Sequence, residues 1–164
     1  EQARALAEAG ADLIVIETML AVDETVTALE AAQSICSLPV VCSLTVQTDG
    51  TAYFGGNCFD ALETLQTLGA AAVGLNCSYG PEQMLPLISR MARRAHVPLM
   101  AKPNAGMPTL TPDGVAVYPM DAESFARETV KLAEAGAKLV GGCCGTTPEH
   151  IAALYFHIQN LNSK

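Results

Sequence analysis

The sequence predicts a parallel α/β fold of about five βα units, and two observations carry that reading. The phrase Gly10-Ala11-Asp12-Leu13-Ile14-Val15 recurs as Gly69-Ala70-Ala71-Ala72-Val73-Gly74 and as Gly136-Ala137-Lys138-Leu139-Val140-Gly141. Each copy follows an Ala- and Leu-rich amphipathic segment, the pattern of a helix that ends at a glycine and turns directly into a buried strand. Between the copies, Pro39-Val40-Val41-Cys42-Ser43-Leu44 and Pro98-Leu99-Met100-Ala101 open strands of a second type. Strands then recur at roughly 30-residue intervals, the size of a βαβ unit. Near-continuous apolar strands, each followed by a helix, imply a parallel sheet covered on both faces. A doubly wound sheet and part of an eight-stranded (β/α)8 TIM barrel both satisfy these constraints.

The elements follow in order. Ala3, Leu6 and Ala7 form an apolar stripe running into the first strand, and the chain opens on Glu1 in mid-pattern, which suggests an excerpt of a longer chain. Helices are expected over residues 23–34, 60–68, 81–94, 122–135 and 148–158. Asp60 with Glu63 resembles a capping box, Asp121 can cap the fourth helix, and Thr147-Pro148 puts proline in the first turn of the last.

Composition narrows the function. With 164 residues and 50% hydrophobic content the chain can build a sizeable core. A net charge of -8 with scattered basic residues argues against nucleic-acid binding. The uncharged stretch over residues 31–48 is broken by Gln33, Ser34, Ser37 and Pro39, so it is not a membrane span. Nothing resembles an export signal, so the expected location is cytoplasmic, and the six cysteines read as core residues, metal ligands or catalytic thiols before disulfides.

Parallel α/β folds carry their sites at the carboxyl ends of strands. Counted from the capping glycines, Glu17 lies seven positions after Gly10, Cys77 eight after Gly69, and Cys143 seven after Gly136. In a barrel, alternate strands contribute to one interior layer, so a carboxylate and two sulfurs would converge, with Cys144 adding a third. Three sulfurs with one open position fit a catalytic zinc site, and thiolates select zinc over magnesium or calcium. A cysteine at a strand end is also a common small core residue, and spacing alone leaves both readings open.

Gly74-Leu75-Asn76-Cys77-Ser78, Lys102-Pro103-Asn104-Ala105-Gly106 and Gly141-Gly142-Cys143-Cys144-Gly145-Thr146-Thr147-Pro148-Glu149-His150-Ile151 resemble, in order and spacing, the motifs of the homocysteine S-methyltransferase family. The resemblance implies a (β/α)8 barrel, of which residues 1–164 would hold the last five units as the C-terminal part of one domain. It implies zinc ligation by Cys77, Cys143 and Cys144, contact of Glu17 with the amino group of homocysteine, and a place for Asn104 near metal and substrate. A zinc-bound homocysteine thiolate would attack a methyl group, giving methionine, and Glu17 would orient the substrate for in-line transfer. The segment from Thr146 to His150 looks more like the cobalamin-dependent members than the betaine-dependent ones, and Gly145 departs from the arginine common in the S-methylmethionine type. Methylcobalamin on a separate module is thus the expected donor, with a small methyl donor as the alternative.

Other residues weigh less. Cys36, Cys42 and Cys58 read as core or loop packing, and His96, His150 and His157 as packing or exposed groups. Gly141-Gly142 could cradle a phosphate, but the thiolates that follow oppose an anion. Lys102 could form a Schiff base in an aldolase-like enzyme. Tyr53-Phe54-Gly55-Gly56 is either a substrate mouth or a packed loop. A non-catalytic zinc-binding or thiol-redox module is the competing class, though adjacent cysteines form a strained ring when bridged.

Overall fold

The computed structural model describes residues 1–162. Its elements run α1 (Gln2–Glu8), β1 (Ile14–Met19), α2 (Val22–Ile35), β2 (Val40–Leu44), α3 (Cys58–Thr67), β3 (Ala72–Cys77), α4 (Pro81–Ala92) and β4 (Leu99–Pro103). A hairpin follows, β5 (Thr109–Leu110) with β6 (Ala116–Val117), then α5 (Ala122–Glu134), β7 (Ala137–Val140) and α6 (Pro148–Asn162). Gly10, Gly69 and Gly136 all have positive φ (89°, 85° and 119°), so the recurring phrase marks left-handed helix ends, as its pattern required.

Strand order decides between the two predicted architectures. The main sheet is β1-β2-β3-β4-β7, every pair parallel and each strand beside its neighbour in sequence. Crossovers of one hand repeated in one direction put all helices on the same face, whereas a doubly wound sheet must reverse its order to cover both. The sheet is therefore a piece of barrel wall. The sheet covered on both faces thus takes its barrel form: helices cover one face, and the other is the barrel interior.

Alternation along the strands separates the faces. Ile14, Val40, Cys42, Leu44, Val73 and Leu75 point outward and pack with Leu29, Leu62, Leu65, Met84, Ile88 and Met91 of the helices. Each such buried side chain contributes roughly 1.5–3 kcal/mol. The inner face carries a small cluster of Val41, Ala72 and Met100. Val15 and Leu139, on the inner side of the two edge strands, are 46% and 42% exposed. A second core joins Phe125 and Ala126 of α5 to Leu154 of α6, with His150 edge-on to the Phe125 ring at 5.5 Å.

Local chemistry moves some boundaries. The cap of α3 is Asn57, whose Oδ1 accepts from the Phe59 and Asp60 amides while its Nδ2 donates to Asp60 Oδ2. Asp60 is thus the third helical residue of the box, and Glu63 instead pairs with Arg94 at 3.0 Å. Asp121 caps α5 as expected, accepting from Ser124 N at 2.7 Å. The β5–β6 hairpin fills the longest interval between strands and was not anticipated.

No helix among the described residues is long and apolar enough to cross a membrane. The hollows beside β1 and β7, about 880 Å³ and 370 Å³, border the sheet edges, and none of the cysteines lines them. They mark strand edges with no further neighbour among the described residues, next to exposed Leu6 and Tyr155. Unpaired apolar edges invite pairing with another chain. Residues 1–164 expressed alone should therefore elute from size exclusion as dimers or larger species, with apparent mass rising with concentration; a stable monomer would show that the edges are self-protecting.

Candidate metal centre

Cys77 is the last residue of β3, and Cys143 and Cys144 lie in the loop between β7 and α6. Their three Sγ atoms lie within 4.8 Å of one another, the one such His/Cys/Asp/Glu group found among the described residues. Cys77 and Cys144 are 3.6 Å apart. The convergence that spacing predicted for the sulfurs is present.

Backbone strain aims Cys77. Cys77 and the adjacent Ser78 have φ of 58° and 60°, a left-handed conformation that costs a non-glycine residue on the order of 1–2 kcal/mol. Local bonds offset it. Tyr79 N donates to Cys77 O at 2.7 Å, and the Ser78 hydroxyl accepts from Val46 N at 2.8 Å and meets Thr45 Oγ1 at 2.7 Å. The end of β2 thus anchors the turn that points Cys77 at the other sulfurs.

Asn76, fully buried one residue earlier, links four elements. Its Oδ1 accepts from Thr18 N at 2.9 Å and from Ser43 Oγ at 2.7 Å, and its Nδ2 donates to Thr18 Oγ1 at 2.7 Å and toward Cys143 Sγ at 3.7 Å. Thr18 is the remaining non-glycine residue with positive φ (61°), and the reciprocal bonds to Asn76 hold it there. Asn76 thereby sets the end of β1, which carries Glu17, relative to the sulfurs. A polar residue at the end of the apolar run Ala72-Val73-Gly74-Leu75 was the available sequence signal.

The cysteine loop is laced to the end of β4. Cys143 N donates to Pro103 O, Ala105 N to Cys144 O, and Cys144 N to the side-chain oxygen of Asn104 at 3.0 Å. Asn104, 5% exposed, therefore reaches the cysteine loop through the Cys144 amide. Gly145 closes the loop with φ of 80°, and a side chain there would collide with the Tyr118 ring. Tyr118 was not foreseen.

Electrostatics favour a cation at the cluster. Burial pushes the Cys77 thiol up to about 11, with its hydrogen bond to Cys144 and the neighbouring cysteine charges adding to the rise. A divalent cation beside Cys77 would reverse that balance.

Glu17 lies on the inner face and pairs with Lys102 of β4 at 2.7 Å, with side chains 34% and 28% exposed. This ion pair was not foreseen. It also bears on the Schiff-base reading, because an ammonium engaged by a carboxylate is not the free amine that reaction needs. Cys42 and Cys58 are buried in the core, and Cys36 donates to Ala32 O. His150 caps α6 through Thr147 and reaches Met120 O, while His157 pairs with Glu123; the main-chain N of His96 donates to Gln66. Tyr53 and Phe54 are exposed on the loop after β2.

A family model described as homocysteine S-methyltransferase matches residues 1–157. The methionine synthases of Mycobacterium tuberculosis and Mycobacterium leprae are each 36% identical, over 98% and 99% of this chain. The chain spans 14% of their length. The crystal structure of the homocysteine methyltransferase MmuM from Escherichia coli superposes with a TM-score of 0.76 at 27% identity in its oxidized form, over 93% of this chain and 47% of that one. Its metallated form gives 0.74 at 28% identity, over 92% and 46%.

Two measurements check the site's construction. Asn76→Ala strips partners from Ser43 and Thr18 and should destabilise the natural full-length protein by roughly 2–3 kcal/mol in urea titration. Burial also pushes Cys42 and Cys58 up to about 11, so at pH 8 only about one part in a thousand of each is thiolate. Brief alkylation of metal-free protein followed by mass spectrometry should modify exposed Cys144 first and spare Cys42 and Cys58 until the chain is unfolded.

Proposed function

The chain belongs to the homocysteine S-methyltransferase family, and from that premise we propose that it supplies the zinc-binding, C-terminal five units of a barrel that methylates the thiol of homocysteine to give methionine. The observation that carries this is the sulfur triad of Cys77, Cys143 and Cys144. Tetrahedral zinc with Zn–S bonds near 2.3 Å separates its sulfurs by about 3.8 Å. The Cys77–Cys144 distance of 3.6 Å lies within a few tenths of that, so the donor set fits the ion. Three protein ligands leave one position for a substrate sulfur. When bound, zinc would lower the proton affinity of that sulfur so that it acts as a thiolate at neutral pH.

The chain's own residues do the positioning. Glu17 supplies a carboxylate for the substrate ammonium on the inner face. Asn104 holds the amide of Cys144 and fixes the direction of that ligand, so its effect on substrate passes through the metal loop. Asn76 keeps the Glu17 strand and Cys143 in register through Thr18. Near-attack alignment of donor methyl and acceptor sulfur depends on both.

The naming of the mycobacterial relatives as methionine synthases, together with the sequence after Cys144, supports a methyl donor held by another part of a longer chain, with methylcobalamin as the carrier. MmuM is named a homocysteine methyltransferase, so betaine or S-methylmethionine stands as the alternative donor class. A reducing cytoplasmic setting suits three free thiols. The contact between Cys77 and Cys144 is the one observation favouring a thiol-redox module, and metal content separates the two readings.

Elemental analysis of the natural full-length protein should find one zinc per barrel. Cys77→Ala and Cys143→Ala should each weaken zinc by about a hundredfold or more, with loss of methyl transfer to homocysteine. Full zinc occupancy after either replacement would overturn the ligand set.

A further inference from the structure

Glu17 and Lys102 meet across the concave face although their strands are not neighbours. β1 and β4 are separated by β2 and β3 in the sheet order. In a flat sheet three strand spacings put them about 14 Å apart, beyond the reach of two side chains making a 2.7 Å contact, so sheet curvature brings the two charges together. The surroundings are neutral: Val15 and Met100 on the same face, and Ser43 and Asn76 bonded to one another. Gly141, two residues before Cys143, lies against the Lys102 side chain, with an added Cβ 3.5 Å from Cγ. Lys102 pairs in register with Asn76, whose amide reaches toward Cys143 Sγ and binds the residue after Glu17. The ion pair therefore sits beside the sulfur triad and is wired to it.

We propose that Lys102 and Glu17 form a two-ended clamp for a zwitterionic amino acid, with Glu17 taking the α-ammonium and Lys102 the α-carboxylate. This rests on the homocysteine reading above and deepens it by assigning the acid end of the substrate. The charge arithmetic favours the arrangement. An isolated carboxylate on a partly desolvated face is unfavourable, and Lys102 neutralises Glu17 while the site is empty. A zwitterion entering between them brings one charge of each sign, so each side chain exchanges an opposite partner for another opposite partner. No uncompensated charge appears at either stage. A thiol lacking either the amino or the carboxyl group leaves one member of the pair with only its old partner, at a changed separation, and is disfavoured. The clamp thus makes Lys102 a specificity-determining residue whose reach fixes the substrate Cα, and hence the direction from which the thiol approaches the cysteines.

Three acceptors test this in the natural full-length, zinc-loaded protein: homocysteine, 3-aminopropane-1-thiol, which lacks the carboxylate, and 4-sulfanylbutanoate, which lacks the amine. Binding is read by calorimetry and transfer by kcat/KM, with zinc content measured on every variant. The clamp predicts a crossover. Lys102→Met should weaken homocysteine and 4-sulfanylbutanoate by about tenfold or more while changing 3-aminopropane-1-thiol little, and Glu17→Gln should do the reverse. If Lys102 only steadies Glu17, Lys102→Met will weaken the amine-bearing thiols equally and spare 4-sulfanylbutanoate, which overturns the proposal. Should Lys102→Met fail to fold, the neutral pair Glu17→Gln with Lys102→Gln must bind all three thiols within a few-fold of each other; a retained preference for homocysteine also overturns the clamp. A wild-type protein that methylates none of the three refutes the homocysteine reading itself, a different failure from a missing crossover.

Discussion

The buried amide of Asn76 is the contact on which the arrangement of the centre rests. It joins the end of β1, the middle of β2, the end of β3 and the loop after β7 in one hydrogen-bonded group. Parallel strands fix their neighbours' register, but nothing in a ladder fixes where a strand end bends once pairing stops. That bend decides where Cys77 and Glu17 point, and Asn76 sets it by satisfying Thr18 from both sides. A buried amide with satisfied partners is rigid because each alternative arrangement leaves a polar group desolvated and unpaired.

Among the described residues, three non-glycines hold positive φ, and all lie at this end of the sheet: Thr18, Cys77 and Ser78. Such conformations persist where surrounding bonds over-determine them, and they concentrate at functional sites. Here the surrounding bonds are those of Asn76 to Thr18 and of Ser78 to Val46 and Thr45. The strain turns a strand residue whose side chain would continue the alternation into one directed at the β7–α6 loop.

The parts of this molecule legible in sequence were those with a local cause. Gly10, Gly69 and Gly136 announced left-handed helix ends, Asp121 announced a cap, and the offsets of seven, eight and seven positions put Glu17, Cys77 and Cys143 near the carboxyl ends of their strands. What escaped has non-local causes. The pairing of Glu63 with Arg94, 31 positions away in the chain, is one such case, whereas the α3 cap was a local choice between two capping residues that the Asn57 side-chain oxygen settles. The choice between the two predicted architectures follows from strand order, which no single segment encodes. The Lys102–Glu17 pair exists because the sheet curves, and curvature is invisible to a periodicity that records only which side of a strand a residue occupies. Local spacing also could not distinguish the clustered cysteines from core ones; Cys42 sits on a strand as Cys77 does, yet points outward into the helical layer.

The lacing of the cysteine loop onto β4 has a consequence for the order in which the molecule assembles. Cys77 and Cys144 are 67 positions apart, and the segment between them includes two helices, a hairpin and two strands. Closing a loop of that length before its contents are ordered carries a large entropic penalty and little immediate return. The sulfurs therefore come together only after β4 and β7 have paired and the loop has docked on Pro103 and Asn104. An ion bound there, as proposed, would find a finished receptacle and would lock the chain without directing its collapse. This is the reverse of small zinc-finger modules, in which the metal and the fold arrive together.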